Sequence, residues 1–147
     1  MSEAFFPACE SSDWQTMSML DGPSFDRQIG AFEFRKTGAT TAQARFVTDH
    51  YSQNIQHGLH GGYLAARAEQ VFYLPLYTAG SVALGRVVTI DFSMQYLQGG
   101  TPGSALLADV ELLKETGRLG FIRGTLSQQG KCLCSFSATL RKLAPQA

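Results

Sequence analysis

The 147-residue sequence has little of what would mark several large classes of protein. Net charge is absent, because twelve Lys and Arg stand against twelve Asp and Glu. No long-range field then concentrates polyanions or anionic membrane at the surface, and nucleic acid is not expected as a partner. Cysteine is scarce, limited to Cys9, Cys132 and Cys134. An odd, sparse set is unlike the even, dense framework of a small secreted scaffold and fits a reducing compartment. Cys132 and Cys134, two apart in an alternating stretch, are expected to share one side of a strand and pack there. No apolar run approaches the ~20 residues that span a bilayer, and the opening MSEAFFPACESSDW lacks a basic segment followed by an apolar one. The expectation is a soluble, cytoplasmic protein with no membrane partner.

Disorder is excluded for the bulk of the chain, since 44% of the residues are hydrophobic. The length suits one domain over 1–147 and is too short for two ordinary enzyme domains. Residues 1–24 read as a lead-in, with a short helix over Ser11 to Leu20 that Asp21-Gly22-Pro23 stops. Two alternations, Ala31 to Arg35 and Ala42 to Thr48, flank Lys36-Thr37-Gly38 as a hairpin. Tyr51 to Leu59 is polar and has no period. The following HGGYLAARAEQVFYLPLYTAG turns helical, with Leu64, Ala65, Ala68, Val71, Phe72 and Leu76 on one apolar arc and Tyr63, Arg67, Gln70 and Leu74 opposite. Glu69 falls on the border, and Pro75 comes late enough to kink or end the helix without preventing its earlier turns. From Arg86 onward the period is two: Val88, Ile90, Phe92, Met94 and Tyr96 alternate with Thr89, Asp91, Ser93 and Gln95. Ala105 to Lys114, Leu119 to Gln128 and Lys131 to Leu143 continue as an antiparallel meander. This order predicts an α+β domain in which a curved antiparallel sheet wraps one long helix.

The chemistry is sought where the polar loop, with Asn54, Gln56, His57 and His60, meets the helix at Gly61-Gly62. A helix N-terminus without side chains offers free N–H groups and partial positive charge to a developing oxyanion. Taken alone, the glycines read first as a tight turn. Glu69 adds a carboxylate bordering an apolar face, which is either exposed, paired or functional. Seven residues from Gly62 place it roughly 10 Å down the helix, too far to serve the same atom. If both act in one reaction, the carboxylate comes from a second copy of the chain. His57 and His60 are three apart with Asp49 nearby, but no third ligand stands at a recognised spacing from the two histidines, so no metal is expected. There is no Gly-x-Ser-x-Gly elbow either, and no cysteine beside a histidine.

The series Asn54-x5-His60-Gly61-Gly62, then Glu69, then Val88-Thr89-Ile90-Asp91-Phe92 resembles the hotdog-fold acyl-CoA thioesterases. Within these it is similar to the phenylacetate-degradation type, related to 4-hydroxybenzoyl-CoA thioesterases, over roughly Ala42 to Leu143. The resemblance implies that the Gly61 N–H polarises the thioester carbonyl, with Asn54 near it and His60 ordering the loop. It implies that Glu69 of the facing subunit is general base or nucleophile, and that Thr89 of that subunit positions the water. Partial burial would raise the basicity of such a carboxylate. Substrate contacts would come from His60, Gly62, Phe72 and Tyr73, with Leu76 beside them. The homodimer is then the minimal unit and a homotetramer, a dimer of dimers, the expected assembly. The reaction would be metal-independent hydrolysis of a medium-chain or aromatic acyl-CoA, without a cofactor beyond the coenzyme A of the substrate. The alternatives are a hotdog acyl-thioester dehydratase or hydratase, and a non-catalytic acyl-CoA-binding module. The sequence departs from the pattern at His57, where relatives often carry Gly, and at Gln98 to Gly103, which lacks a frequent Arg-Pro. Lys114, Arg118, Arg123, Arg141 and Lys142 are candidates for the coenzyme A phosphates or, equally, solvated strand ends.

Overall fold

The alternating runs become strands because each buries one face and wets the other. The structure, a computed structural model, describes residues 13–17 and 21–145. Its elements are β1 (Gln15–Thr16), α1 (Phe25–Ile29), β2 (Glu33–Lys36), β3 (Thr41–Phe46), a 3-10 turn at His50–Ser52, α2 (Gly61–Val71), α3 (Leu74–Thr78), β4 (Val87–Tyr96), β5 (Leu106–Glu115), β6 (Leu119–Gln128) and β7 (Lys131–Lys142). The strands form one antiparallel sheet in the order β1-β2-β3-β5-β6-β7-β4, so β4, which follows the helices, closes one edge. The core lies between the sheet and α2–α3: Leu64, Ala68, Val71, Phe72, Leu74 and Leu76 meet Phe46, Ala108, Val110, Ile122, Leu126, Phe136 and Leu140. Side chains such as Leu74 and Leu76, fully withdrawn from water, each contribute about 1.5–3 kcal/mol. Hotdog architecture is therefore present, with Pro75 near the start of α3 after a break at Phe72 and Tyr73.

Four expectations change. The helix expected over Ser11 to Leu20 is absent from the part that is described. Gln15 and Thr16 instead pair with Phe34 and Glu33, and the Met17 N–H donates to the Phe32 carbonyl at 2.9 Å. The free edge of β2 offers a ready ladder, whereas a short isolated helix must first meet the cost of nucleation. Trp14 helps hold this strand, its ring within 4.5 Å of the Arg35 guanidinium and 4.4 Å of that of Arg45. Residues 11–12 and 18–20 of the expected helix lie outside the described residues. The lead-in helix stands further on as α1, where the Ser24 side chain accepts the Arg27 N–H at 3.2 Å.

The second change concerns the helix face opposite the apolar arc. Opposite the arc, where the wheel offers no cover, Arg67, Gln70 and Leu74 are buried as well, and Arg67 reaches the Ile29 and Gly30 carbonyls between α1 and β2. Third, Cys132 and Cys134 do not share a side. The β6–β7 register slips so that Leu126 faces Cys134 and Ser127 faces Cys132, leaving Leu133 unpaired. Leu133 and Cys134 both enter the core, and Cys132 is half-exposed.

Finally, the alternation in β4 is broken. Thr89 pairs with Leu140 and Asp91 with Thr139, so Ile90 is the extra residue of a bulge. Before it, Val87 and Thr89 face the helix, and after it Phe92 and Met94 do. Val88 and Ile90 are thrown outward, 45% and 55% exposed. Thr89 thus leaves the outer face on which strict alternation put it.

Candidate active site

The loop before α2 is folded by its own polar groups. The Asn54 Oδ1 accepts the N–H groups of Gln56 (2.9 Å) and Gly58 (3.1 Å), and its backbone N–H donates to the Gly58 carbonyl at 2.8 Å. His57 between them adopts φ +65°, the left-handed region where glycine is the unstrained choice. The loop is anchored outside itself where the Leu59 N–H donates to the Gly100 carbonyl at 3.0 Å and the His60 N–H to that of Ser52 at 2.8 Å.

His60 is the N-cap of α2, and its Nδ1 accepts the Gly62 N–H at 2.8 Å. An accepting Nδ1 carries no proton, so the neutral ring holds its proton on Nε2. The ring spends itself on the second N–H of the helix. The first, that of Gly61, is one of the N–H groups that the start of a helix leaves without an intrahelical acceptor. Tyr96, at the end of β4, roofs this point: its hydroxyl donates to the Gly61 carbonyl at 2.9 Å. A Cβ on Gly61 would lie 3.2 Å from Tyr96 Cε1, so the ring can approach only a bare backbone.

Two turns on, Glu69 is exposed rather than partly buried as expected. It lines a cavity of about 390 Å³ together with Thr89, Phe72 and Tyr73, and with Gln70, Phe32, Leu84, Val87 and Leu140 on the remaining wall. Burial above all, then Tyr77 and Asp26, holds the Tyr73 phenol protonated well above its ordinary range. Arg67 lies behind the cavity wall, 3% exposed. Its guanidinium donates to the Gly30 carbonyl (2.7 Å), the Gln70 Oε1 (2.8 Å), the Tyr63 hydroxyl (3.1 Å) and the Ile29 carbonyl. It also stacks 4.7 Å from the Phe46 ring. These contacts fasten the end of α1 to α2 and so hold the cavity's outer wall.

The predicted residues therefore fall into two groups. His60, Gly61 and Gly62 stand at the helix N-terminus, with Asn54 in the loop leading to it, and Glu69, Thr89, Phe72 and Tyr73 share the cavity. Eight residues separate Gly61 from Glu69, about 12 Å along one helix. Leu76 is buried in the core and is not among the cavity's lining residues. Among the described residues no three His, Cys, Asp or Glu side chains are grouped to hold a metal. Cys134 is no nucleophile, as burial and then Cys132 push its thiol up to about 11. Sequence reasoning missed Tyr96, Arg67 and Gln70. In the sequence the first stands out only as a strand residue, and the other two only as residues opposite the apolar arc.

The sheet packs on a helix that starts at Gly61 and Gly62 and carries Glu69 two turns on, where it shares a cavity with Thr89, the layout of a hotdog domain. The chain belongs to the family of the acyl-CoA thioesterase N-terminal domain, whose model matches residues 48–141. It is a thioester hydrolase, an acyl-CoA thioesterase in general class. Among curated proteins none matches it in sequence. Solved structures similar to it include thioesterase superfamily member 2 of zebra fish, at 22% identity and TM-score 0.72, covering 83% of this chain and 88% of that one. A hypothetical thioesterase of Streptococcus pneumoniae TIGR4 with coenzyme A is 20% identical at TM-score 0.69, covering 79% and 88%. The PaaI protein of the E. coli phenylacetic acid degradation operon is 19% identical at TM-score 0.65, covering 72% and 75%. At these identities the likeness establishes the fold.

Proposed function

We propose that this chain hydrolyses a medium-chain or aromatic acyl-CoA to the free acid and coenzyme A, without a metal, in sites that two copies of the chain complete together. The observation that carries this reading is the shared cavity of Glu69 and Thr89, about 12 Å by helix rise from the Gly61 N–H on the same helix. One copy then offers the oxyanion end and its neighbour the carboxylate. The free edge of β4 is the natural seam: Val88, Ile90, Tyr96 and Leu97 are exposed along or just after it. A dimer of dimers in the cytoplasm completes the proposal.

In the reaction, the Gly61 N–H of one copy takes the negative charge on the thioester oxygen. Glu69 of the other accepts a proton from water that the Thr89 hydroxyl orients, or attacks the carbonyl carbon itself. The C–S bond breaks and the thiolate leaves as coenzyme A; when water attacks, the acid forms at once, and when Glu69 attacks, the acyl group is left on it as a mixed anhydride that a water then cleaves to the acid and free Glu69. His60 and Gly62 shape the approach to the carbonyl, Asn54 holds the loop beneath it, and Phe72 and Tyr73 receive the acyl group. Phe72 is the more buried of the two and Tyr73 the half-buried one.

The test is Glu69→Gln. Because Glu69 is exposed, the variant should keep the wild-type melting temperature while losing roughly 10²–10⁴-fold in kcat. Turnover at the wild-type rate would overturn the mechanism. Rapid-quench mass spectrometry of a single turnover, with hydroxylamine as trap, separates the two routes, since only direct attack places the acyl group on the Glu69 carboxylate as a mixed anhydride.

A further inference from the structure

Between β4 and β5 three glycines fall within positions 97–103, and glycine gives up more conformational freedom on ordering than any other residue. A side chain from elsewhere orders this loop. Gln128, the last residue of β6, is 6% exposed and turns its whole amide to it. The Oε1 accepts the Thr101 N–H at 2.8 Å, and the Nε2 donates to the carbonyls of Thr101 (3.1 Å) and Ser104 (3.0 Å). An amide is the neutral head that brings an acceptor and two donors to one place. Gln128 is not among the residues that line the Glu69 cavity.

The Thr101 N–H and the Gly100 carbonyl belong to one trans peptide and point opposite ways. On the far side of that peptide, the Gly100 carbonyl accepts the Leu59 N–H at 3.0 Å. Side chains press the same junction: a Cβ on Gly100 would lie 2.7 Å from Leu59 Cδ1 and from Leu133 Cδ1. Leu59 leads directly into His60, the N-cap of α2, and Gly61, its first residue. One planar peptide therefore stands between the Gln128 amide and the chain that enters the helix. A peptide beside a glycine turns with little steric resistance unless something holds it. We propose that Gln128 is a positioning residue for the oxyanion end: by holding the Gly100–Thr101 peptide it fixes Leu59, and through Leu59 the place of the Gly61 N–H. This rests on the thioesterase reading in which Gly61 takes the oxyanion, and adds to it a residue that acts through the backbone.

The test joins kinetics on octanoyl-CoA and phenylacetyl-CoA to amide hydrogen exchange of the full chain. Gln128→Met removes the hold on the peptide, whereas Gln128→Glu keeps the oxygen that the Thr101 N–H needs. In Gln128→Met, kcat should fall roughly 10- to 100-fold while KM stays within about twofold. The fall should be the same for both substrates, because the thioester carbonyl is common to them. Exchange at Leu59 and Thr101 should quicken about tenfold or more while β5 to β7 stay protected. Gln128→Glu should lose less by both measures. If Gln128→Met folds poorly, Gly100→Ala shifts the same junction without stranding a polar group, and should lower kcat in the same way. Unchanged exchange at Leu59, faster exchange with unchanged kcat, equal losses in the two Gln128 variants, or a rise in KM that differs between the acyl groups would each overturn the proposal. Gly61→Ala separates its failure from that of the reading beneath it. Turnover lowered by Gly61→Ala and untouched by Gln128→Met sinks the role of Gln128 alone, and turnover untouched by both sinks the oxyanion role of Gly61 as well.

Discussion

The Tyr96 hydroxyl donates to the Gly61 carbonyl across 2.9 Å, fastening the last residue of the edge strand to the first residue of the central helix. The contact holds the Gly61–Gly62 peptide plane, next along the chain from the one that carries the Gly61 N–H, and so limits how far the first turn of the helix can shift.

Gly61→Ala puts a Cβ 3.2 Å from Tyr96 Cε1, so the ring must yield by a few tenths of an ångström and the peptide with it. Alanine suits a first helical turn at least as well as glycine, and stability should change by less than about 1 kcal/mol. Turnover should fall roughly tenfold or more as the donor leaves its line. Chemical denaturation beside steady-state kinetics reads both quantities on one preparation.

Thr89 faces the cavity only because of the bulge at Ile90. Thr89→Val keeps the shape and the β-branch but removes the hydroxyl. It should lower kcat roughly ten- to a hundredfold with stability within about 0.5 kcal/mol of wild type. Thr89→Ser should restore most of the rate. Equal rates for the valine and serine variants would show that the hydroxyl plays no part.

Arg67→Met removes the donors that satisfy the Ile29 and Gly30 carbonyls and the Gln70 Oε1. The buried acceptors left behind should cost about 3 kcal/mol or more. Hydrogen exchange should rise at Asp26 to Gly30 before the strands β5 to β7 are affected. Uniform acceleration across the sheet would show that Arg67 does not hold α1 in particular.

Cys134 gives a pH dependence whose sign is fixed. Its folded value is about 11 against an ordinary 9.0, so the native state holds the proton more tightly than the unfolded chain. The associated stability is complete below pH 9 and is lost as pH rises from 9 to 11, by at most about 1.4 kcal/mol per pH unit. The denaturation midpoint should fall across that window, and Cys134→Ala should flatten the fall.

The strands and the central helix were legible because burial on one face imposes a period, and β6 was bounded correctly at both ends, Leu119 and Gln128. What the sequence could not show were the departures from period. A single inserted residue at Ile90 or Leu133 leaves the alternation looking regular while reversing which side chains face inward. That is why alternation alone does not show which way Thr89 faces, and why it puts Cys132 on the same side as Cys134. Arg67 and Gln70 were misplaced for a different reason: a helical wheel knows one covered face, and the second cover here comes from Ile29 and Gly30, nearly forty residues upstream. Gln15 and Thr16 joined a strand since the edge of β2 was there to receive them, a fact of tertiary structure that no local propensity contains.

Because the bulge at Ile90 sits between Thr89 and Asp91, the chemistry of this strand depends on a residue count as much as on residue identity. Removing Ile90 would leave every functional side chain in the sequence and yet turn Val87 and Thr89 away from the cavity. Alignments that treat a one-residue gap here as neutral would pair a hydroxyl on the wall of the Glu69 cavity with one facing solvent. Comparing lineages of this fold therefore calls for matching strand phase first and amino acids second.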